Sequence, residues 1–301
     1  MSIRFDDRVV IVTGGGNGLG RAHCFAYAKA GAKVVVNDLG GGPDGSGASL
    51  AASEAVVKEI QQAGGQAIAS GASVTDREQV DTMVQDALSK WGRVDVLVNN
   101  AGILRDKSFA KMEMADFERV LDVHLTGSAN CAKAVWSVMT EQRYGRIVMT
   151  SSSSGIFGNF GQANYAAAKM GVIGLMNTLH LEGRKYDIRV NALAPFAGTR
   201  LLGDLMPQDI TRLADPALVS PAVLFLTGEN APSRTIMGAG AGAFTAVHIY
   251  ETQGKFLGLE SVTADDVAAH WDAISSPENE RLSPDASHQS KQFLDLVKAG
   301  V

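Results

Sequence analysis

Two cysteines and eight prolines among 301 residues leave little material for a disulfide framework or a proline-rich linker. Cys24 and Cys131 stand far apart in helix-like apolar stretches and form no CxxC, which reads as packing thiols in a reducing compartment rather than a redox or zinc pair. Long apolar runs are missing as well. None approaches the roughly 18 residues of a membrane span, and the N-terminus is charged from Arg4 with no apolar signal core. Basic residues are outnumbered, 27 Lys and Arg against 32 Asp and Glu for a net charge of -5, so the footprint of a nucleic-acid binder is absent. His23, His180, His248, His270 and His288 fall at no ligand spacing, and no metal site is expected. What the chain has in excess is glycine, 33 residues. With so little proline this is neither collagen nor low complexity, and it points to tight turns.

Short Val- and Ile-rich runs alternate with longer helix-period stretches, the alternation that a parallel sheet covered by helices on both faces requires. Strands are expected at Arg8 to Val12, Lys33 to Asn37, Gln66 to Ser70, Asp95 to Asn99, Arg146 to Thr150 and Arg189 to Leu193, with a seventh near Thr235 to Met237. Helices are expected near 18–30, 49–63, 76–91, 115–142 and 162–185, with Thr75-Asp76 and Asp116 as entry signals. After Leu193 the pattern loosens. Ala194 to Gly198 reads as a loop, and Pro207, Pro216 and Pro221 punctuate short helices in a region expected to move. Beyond residue 241 come a strand candidate, Phe244 to Tyr250, a helix-like Ala264 to Ile274, and a polar stretch through Pro277, Ser283 and Pro284.

The first strand runs into Thr13-Gly14-Gly15-Gly16-Asn17-Gly18-Leu19-Gly20 and then directly into a helix. Such a turn aims backbone N–H groups and a helix dipole at a pyrophosphate, because no side chain holds the phosphates away. Asp38 ends the second strand 18 residues after Gly20, placed to accept from the hydroxyls of an adenosine ribose and to repel a 2'-phosphate. With no Arg or Lys in Leu39 to Gly42, NAD is favoured over NADP. Gly40 to Gly47 follows a strand without opening a helix and reads as a flexible loop. Tyr165 and Lys169 lie four residues apart on one helix face, where a fixed cation is expected to stabilise phenolate and lower the tyrosine pKa. Ser152, at a strand end 13 residues earlier, can bring its hydroxyl to the phenol.

These elements together resemble the short-chain dehydrogenases/reductases. The resemblance rests on Thr13-Gly-x-x-x-Gly18-x-Gly20, Asn99-Asn100-Ala101-Gly102, Ser152, Tyr165-x-x-x-Lys169 and Ala194-Pro195-x-x-Gly198, and spans most of residues 5–240. Asn37 to Gly41, Gly102 to Phe109 and Gly155 to Tyr165 look, more narrowly, like the dehydrogenase part of multifunctional enzymes that oxidise (3R)-hydroxyacyl-CoA. The resemblance implies an α/β fold, a Rossmann-type doubly wound parallel sheet. Residues 1–240 would form a single dinucleotide-binding and catalytic domain, and 241–301 a C-terminal extension packed on it or on a dimer partner. It implies Tyr165 as general acid/base, Lys169 as its partner and ribose ligand, and Ser152 as the hydroxyl that polarises the substrate oxygen. The cofactor would be held by Gly14, Asn17, Gly18, Leu19, Gly20, Asp38, Ser73, Val74, Asn100, Gly102, Tyr165, Lys169, Pro195, Ala197, Gly198 and Thr199. His124 stands where many relatives carry an asparagine that supports a water relay to the lysine, so a modified relay is expected.

The expected activity is NAD-dependent interconversion of a secondary alcohol and a ketone, the alcohol being a 3-hydroxyacyl-CoA. A hydroxysteroid or other bulky-alcohol dehydrogenase shares this chemistry and is not separated from it by sequence. A non-catalytic cofactor-binding scaffold is the rival from another class, opposed by the joint presence of Ser152, Tyr165 and Lys169. A homodimer or homotetramer is implied by the family. The ending Lys298-Ala-Gly-Val301 lacks a Ser-Lys-Leu peroxisomal address, so a cytoplasmic, stand-alone enzyme is expected, with no nucleic-acid or membrane partner.

Overall fold

The computed structural model describes residues 3–198 and 213–300. Thr199 and Pro207, both named above, lie outside the described residues. The chain divides into two compact units, residues 1–246 and 247–301.

The first unit is built on short strands that are apolar on both faces. Val9–Thr13 (β1), Val96–Asn99 (β4) and Gly145–Thr150 (β5) are buried at every position, and Lys33–Asn37 (β2) at all but its first. Gln66–Ser70 (β3), Ile188–Pro195 (β6), Ile236–Gly240 (β7) and Ala243–Val247 (β8) complete a sheet of order β3-β2-β1-β4-β5-β6-β7-β8. Strands β1 to β7 pair in parallel. A two-residue turn with positive φ at Ala241 and Gly242 joins β7 to β8, a connection available only to antiparallel neighbours. The chain returns to the centre between β1 and β4, where Val12 lies beside Val98. That reversal opens a crevice at the carboxyl ends of the strands, the ligand position of a doubly wound sheet.

Helices Gly18–Lys29 (α1), Ala51–Gln62 (α2), Arg77–Trp91 (α3), Met114–Leu121 (α4), Gly127–Gln142 (α5), Ser153–Phe157 (α6) and Ala163–Gly183 (α7) flank the strands. Asp76 caps α3 by accepting from the N–H groups of Glu78 and Gln79, and Gly92 ends it at φ +74°. The single helix expected over 115–142 is instead interrupted by a π turn at Asp122–Thr126. One extra residue in that turn carries His124 inward to burial, and π turns of this kind recur at functional sites. Asp116 does not cap a helix. It sits in the first turn of α4 and pairs with Arg105 and Lys107 at 2.8 and 3.0 Å. The loop expected from Ala194 begins later, because β6 runs to Pro195.

In the second unit the expected helix over Ala264 to Ile274 is split at His270 into Ala264–Ala269 and Trp271–Ile274. A capping box between Thr263 and Asp266 starts the first piece. Ala286–Gly300 is a further helix that the polar reading of this region did not anticipate. Buried Gln292 anchors it to the carbonyls of Thr252 and Gln253, and Glu251 bridges Arg281 in antiparallel fashion.

At the amino ends of the strands, fully buried Arg146 donates to the carbonyls of Gly145, Asp187, Gly228 and Glu229 and pairs with the Asp187 carboxylate at 3.0 Å. Tyr144 stacks beneath it at 4.1 Å. Replacing Arg146 by Ala should lower stability by roughly 3–5 kcal/mol, because the carbonyls of Gly145, Asp187, Gly228 and Glu229 lose their donor while the Asp187 carboxylate keeps only Arg189. Urea unfolding of the full chain measures this, and a loss below 1 kcal/mol would contradict it.

Candidate active site

The glycine turn after β1 is held by a small polar knot. The Thr13 hydroxyl accepts from the N–H groups of Asn100 and Ala101, both at 3.0 Å, while the Asn100 carboxamide donates to the carbonyls of Thr13 and Gly14 at 2.9 and 3.2 Å. A Cβ on Gly14, where φ is +65°, would stand 2.9 Å from the Ala101 Cα. A Cβ on Gly20 would lie 2.0 Å from the Gly14 carbonyl oxygen. No side chain caps α1, so its first-turn N–H groups remain for an anion.

Beside this turn Asp38 accepts from the Gly16 and Gly40 N–H groups at 2.8 and 2.7 Å. Each carboxylate oxygen keeps a lone pair for a further donor. A Cβ on Gly16 would come within 2.7 Å of Oδ2, so only glycine allows this approach.

A cleft of about 450 Å³ runs from here across the carboxyl ends of the strands. It brings together Gly14, Asn17, Gly18, Leu19, Asp38, Ser73, Val74, Asn100, Gly102, His124, Ser152, Tyr165, Lys169, Pro195 and Ala197. Gly20 and Gly198 are not among the residues that line it. Gly20 allows α1 to pack on the turn, and the Gly198 N–H donates to the Ala214 carbonyl at 2.6 Å. Asn100 lines the cleft but spends its carboxamide on the glycine turn. Gly40 to Gly47, expected as a flexible loop, is tied across the crevice: Pro43 O accepts from Leu104 N–H at 3.0 Å and Asp44 O from the Arg105 guanidinium at 3.0 Å. Pro43 and Gly45 thereby join the lining.

At the far end, Ser152 caps α6 and accepts from Ser154 N–H at 3.2 Å. Tyr165 and Lys169 project from one face of α7. The Lys169 ammonium lies 5.5 Å from the Tyr165 ring centre and donates to the Thr150 carbonyl at 2.5 Å. His124 meets Tyr165 edge to face at 5.2 Å, and its Nε2 contacts the N–H and carbonyl of Ile103 at 3.0 and 2.8 Å. Gly102 is required here, since a Cβ would stand 2.3 Å from the imidazole.

The expected fall in the tyrosine pKa is reversed. Burial pushes the Tyr165 phenol up, the adjacent Ser152 hydroxyl works against it, and the Asp106 carboxylate adds to the rise. Burial also pushes Lys169 down to about 7. Burial of the phenol is the largest influence on it, and it outweighs the stabilisation expected from a fixed cation. Burial and the neighbouring lysine hold His124 well below its ordinary value. His124 Nδ1 and the Thr150 hydroxyl are buried with no partner among the described residues, polar atoms that a bound ligand or water would satisfy.

Sequence reasoning named Thr13 only as the start of the glycine motif and did not single out Pro43, Gly45, Asn159 or Gln162 as lining residues. The last two sit in the Gly155 to Tyr165 string, and the three-residue spacing from Gln162 to Tyr165 was a readable signal. No group of His, Cys, Asp and Glu among the described residues is arranged to hold a metal ion, and no described helix is long and apolar enough to cross a membrane.

A glycine cradle at a helix N-terminus, a carboxylate at the end of β2 and buried unpartnered polar atoms at the other end fit an elongated dinucleotide. The short chain dehydrogenase family model matches residues 8–200. The peroxisomal hydratase-dehydrogenase-epimerase of Saccharomyces cerevisiae is 44% identical over 98% of this chain, which spans 33% of that relative's length. The solved full-length peroxisomal multifunctional enzyme type 2 from Drosophila melanogaster superposes with a TM-score of 0.82 at 36% identity, covering 98% of this chain and 50% of its own. A 7 alpha-hydroxysteroid dehydrogenase solved with NADH and 7-oxo glycochenodeoxycholic acid superposes with a TM-score of 0.72 at 31% identity, covering 80% of this chain and 95% of its own.

The depressed lysine makes a test that needs no ligand. Below pH 7 Lys169 is protonated in both folded and unfolded chains; between about 7 and its ordinary value near 10.5 only the unfolded chain keeps the proton. The unfolded state then binds more protons, so stability rises with pH through this window, by roughly 1.4 kcal/mol per unit. Urea unfolding at pH 7.5 and 9.5 should show wild type gaining on Lys169→Met; parallel curves would refute the depressed value.

Proposed function

The chain belongs to the short-chain dehydrogenase family, and on that premise we propose that it is an NAD-dependent oxidoreductase interconverting a 3-hydroxyacyl thioester and its 3-oxo product. The observation that carries this reading is the single cleft that runs from the Asp38 carboxylate and glycine cradle to Ser152, Tyr165 and Lys169.

Gly14, Asn17, Gly18 and Leu19 would face the pyrophosphate, Asp38 the adenosine ribose, and Ser73 and Val74 the adenine. Lys169 would take the nicotinamide ribose, and Pro195 and Ala197 the nicotinamide end. The nicotinamide ring, when bound, supplies the hydride acceptor. In the oxidative direction the Tyr165 hydroxyl, as phenolate, takes the alcohol proton, while Ser152 Oγ donates to the substrate oxygen and keeps it aligned. His124 holds the backbone at Ile103 and faces Tyr165 and Lys169, so it would shape the proton path that reaches the lysine. Because burial raises the phenol's pKa, oxidation is favoured at alkaline pH and ketone reduction nearer neutrality.

The chain spans about one third of the yeast relative it matches and half of the Drosophila one, so the thioester is a proposal about this segment alone. A hydroxysteroid substrate is the second reading, favoured by the superposition on a steroid dehydrogenase. We also propose a homodimer or homotetramer in the cytoplasm. Relatives named peroxisomal make subcellular fractionation the test of that compartment.

Reduced nicotinamide should accumulate when the protein is mixed with NAD and a 3-hydroxyacyl thioester; turnover of hydroxysteroids alone would favour the second reading, and no turnover of any alcohol would defeat both. Tyr165→Phe should lose about a thousandfold or more in kcat while NAD binding, followed by calorimetry, persists. Full activity of that variant would overturn the assignment. Asp38→Ala should raise KM for NAD about tenfold and narrow the preference over NADP, since a carboxylate with two ribose hydrogen bonds is lost. An unchanged cofactor preference would remove Asp38 from the site.

A further inference from the structure

The segment just before Tyr165 is stitched to the chain leaving β4. Lys107 N–H donates to the Gly161 carbonyl at 2.9 Å, the Asn164 carboxamide to the Arg105 carbonyl at 3.0 Å, and the Gln162 carboxamide to the Asp106 carboxylate at 2.6 Å. Asn159 Nδ2 in turn donates to Gln162 Oε1 at 3.0 Å. A carboxylate only accepts, so the Gln162 amide can face Asp106 only through its nitrogen, and its orientation is fixed. Both Asn159 and Gln162 line the cleft. Gln162 immediately precedes α7 as its N-cap residue, three positions before Tyr165.

The charges around this amide are one-sided. Asp106 is near enough to act on the Tyr165 phenol. The cations among the described lining residues, Arg119 and Lys169, are engaged with the Asp122 carboxylate at 3.3 Å and the Thr150 carbonyl. Arg105 and Lys107, which flank Asp106, are paired with the Asp116 carboxylate at 2.8 and 3.0 Å, so a ligand carbonyl reaching this wall of the cleft would find an amide N–H, whereas a carboxylate there would face the Asp106 charge.

Resting on the 3-hydroxyacyl reading above, we propose that Gln162, held by Asp106 and Asn159, is the specificity-determining residue that recognises the neutral acyl carbonyl and, with Asp106, rejects the free 3-hydroxy acid. Gln162 donates its second N–H to the thioester carbonyl. Asp106 plays two parts, orienting Gln162 and repelling a carboxylate. A site built around a donor discriminates strongly against substrates that cannot use it, and like-charge juxtaposition acts against the wrong partner.

The experiment uses the full chain with NAD and three small probes: the N-acetylcysteamine thioester of 3-hydroxybutanoate, 3-hydroxybutanoate itself, and 2-pentanol. In Gln162→Ala the thioester-to-alcohol ratio of kcat/KM should fall about tenfold, chiefly through KM, as expected for one lost hydrogen bond. In Asp106→Asn the acid-to-thioester ratio should rise about tenfold. Equal losses on all three probes in Gln162→Ala, or an unchanged acid-to-thioester ratio in Asp106→Asn, would overturn the proposal by reducing the network to scaffolding. Oxidation of 2-pentanol without the thioester by wild type would overturn it too, leaving the dehydrogenase reading intact. Binding of the 3-oxobutanoyl thioester, followed by calorimetry, reads the same discrimination without turnover. Tight binding to wild type and weak binding to Gln162→Ala supports the proposal even if no probe turns over, an outcome that would sink the catalytic reading alone.

Discussion

The closeness of the Gly14 carbonyl to Gly20 governs everything built at the carboxyl edge of the sheet. A side chain at position 20 would occupy the space of that oxygen, so the turn would open and α1 would leave β1. With the hydrogen atom in place, the Asn100 carboxamide and Thr13 hydroxyl fasten the turn to the end of β4. That fastening joins the two strands that flank the reversal in strand order. The cleft floor, the free N–H groups of α1 and the approach of Gly16 to Asp38 all follow from this contact.

The other end of the cleft depends on burial. Taking an ammonium, a phenol and an imidazole out of water together costs stability, and the protein relieves part of it by moving protons. Lys169 is driven toward neutrality and Tyr165 is held as the phenol. The hydrogen bonds from Lys169 to Thr150 and from Ser151 to the Lys169 carbonyl fix the side chain and its backbone while leaving Thr150 Oγ1 unpartnered. Such a site is poised for a ligand to complete its polar contacts, a sacrifice of stability typical of functional positions.

Between these ends the chain closes the crevice with loops. The Gly40 to Gly47 stretch reaches the segment after β4 through Pro43 and Asp44, and that same segment reaches the start of α7 through Arg105, Asp106 and Lys107. One ribbon, Ile103 to Lys107, thus couples the wall at the Asp38 end to the wall at the Tyr165 end. Its backbone is pinned from both sides, and also from beneath by His124, which explains how surface loops can hold a side chain such as Gln162 in one orientation.

The order of strands and helices in residues 1–198 was legible because two periods, alternating runs and helical stretches, are local properties of the chain. Lys33 to Asn37 and Gln66 to Ser70 were placed to the residue. The glycine turn, Asp38, Ser152, Tyr165 and Lys169 were legible for the same reason, since each belongs to a short motif whose geometry its own neighbours impose. What needed the tertiary structure depends on atoms far apart in sequence. The break of 115–142 at the π turn and the pinning of Gly40 to Gly47 arise from packing and hydrogen bonds that no local period encodes, and the split at His270 breaks a run whose helical pattern continued across it. The protonation of Tyr165 and Lys169 is the clearest case. Their four-residue spacing fixed who faces whom, but the dielectric around them is set by the whole core, and that burial turned an expected fall in the phenol's pKa into a rise.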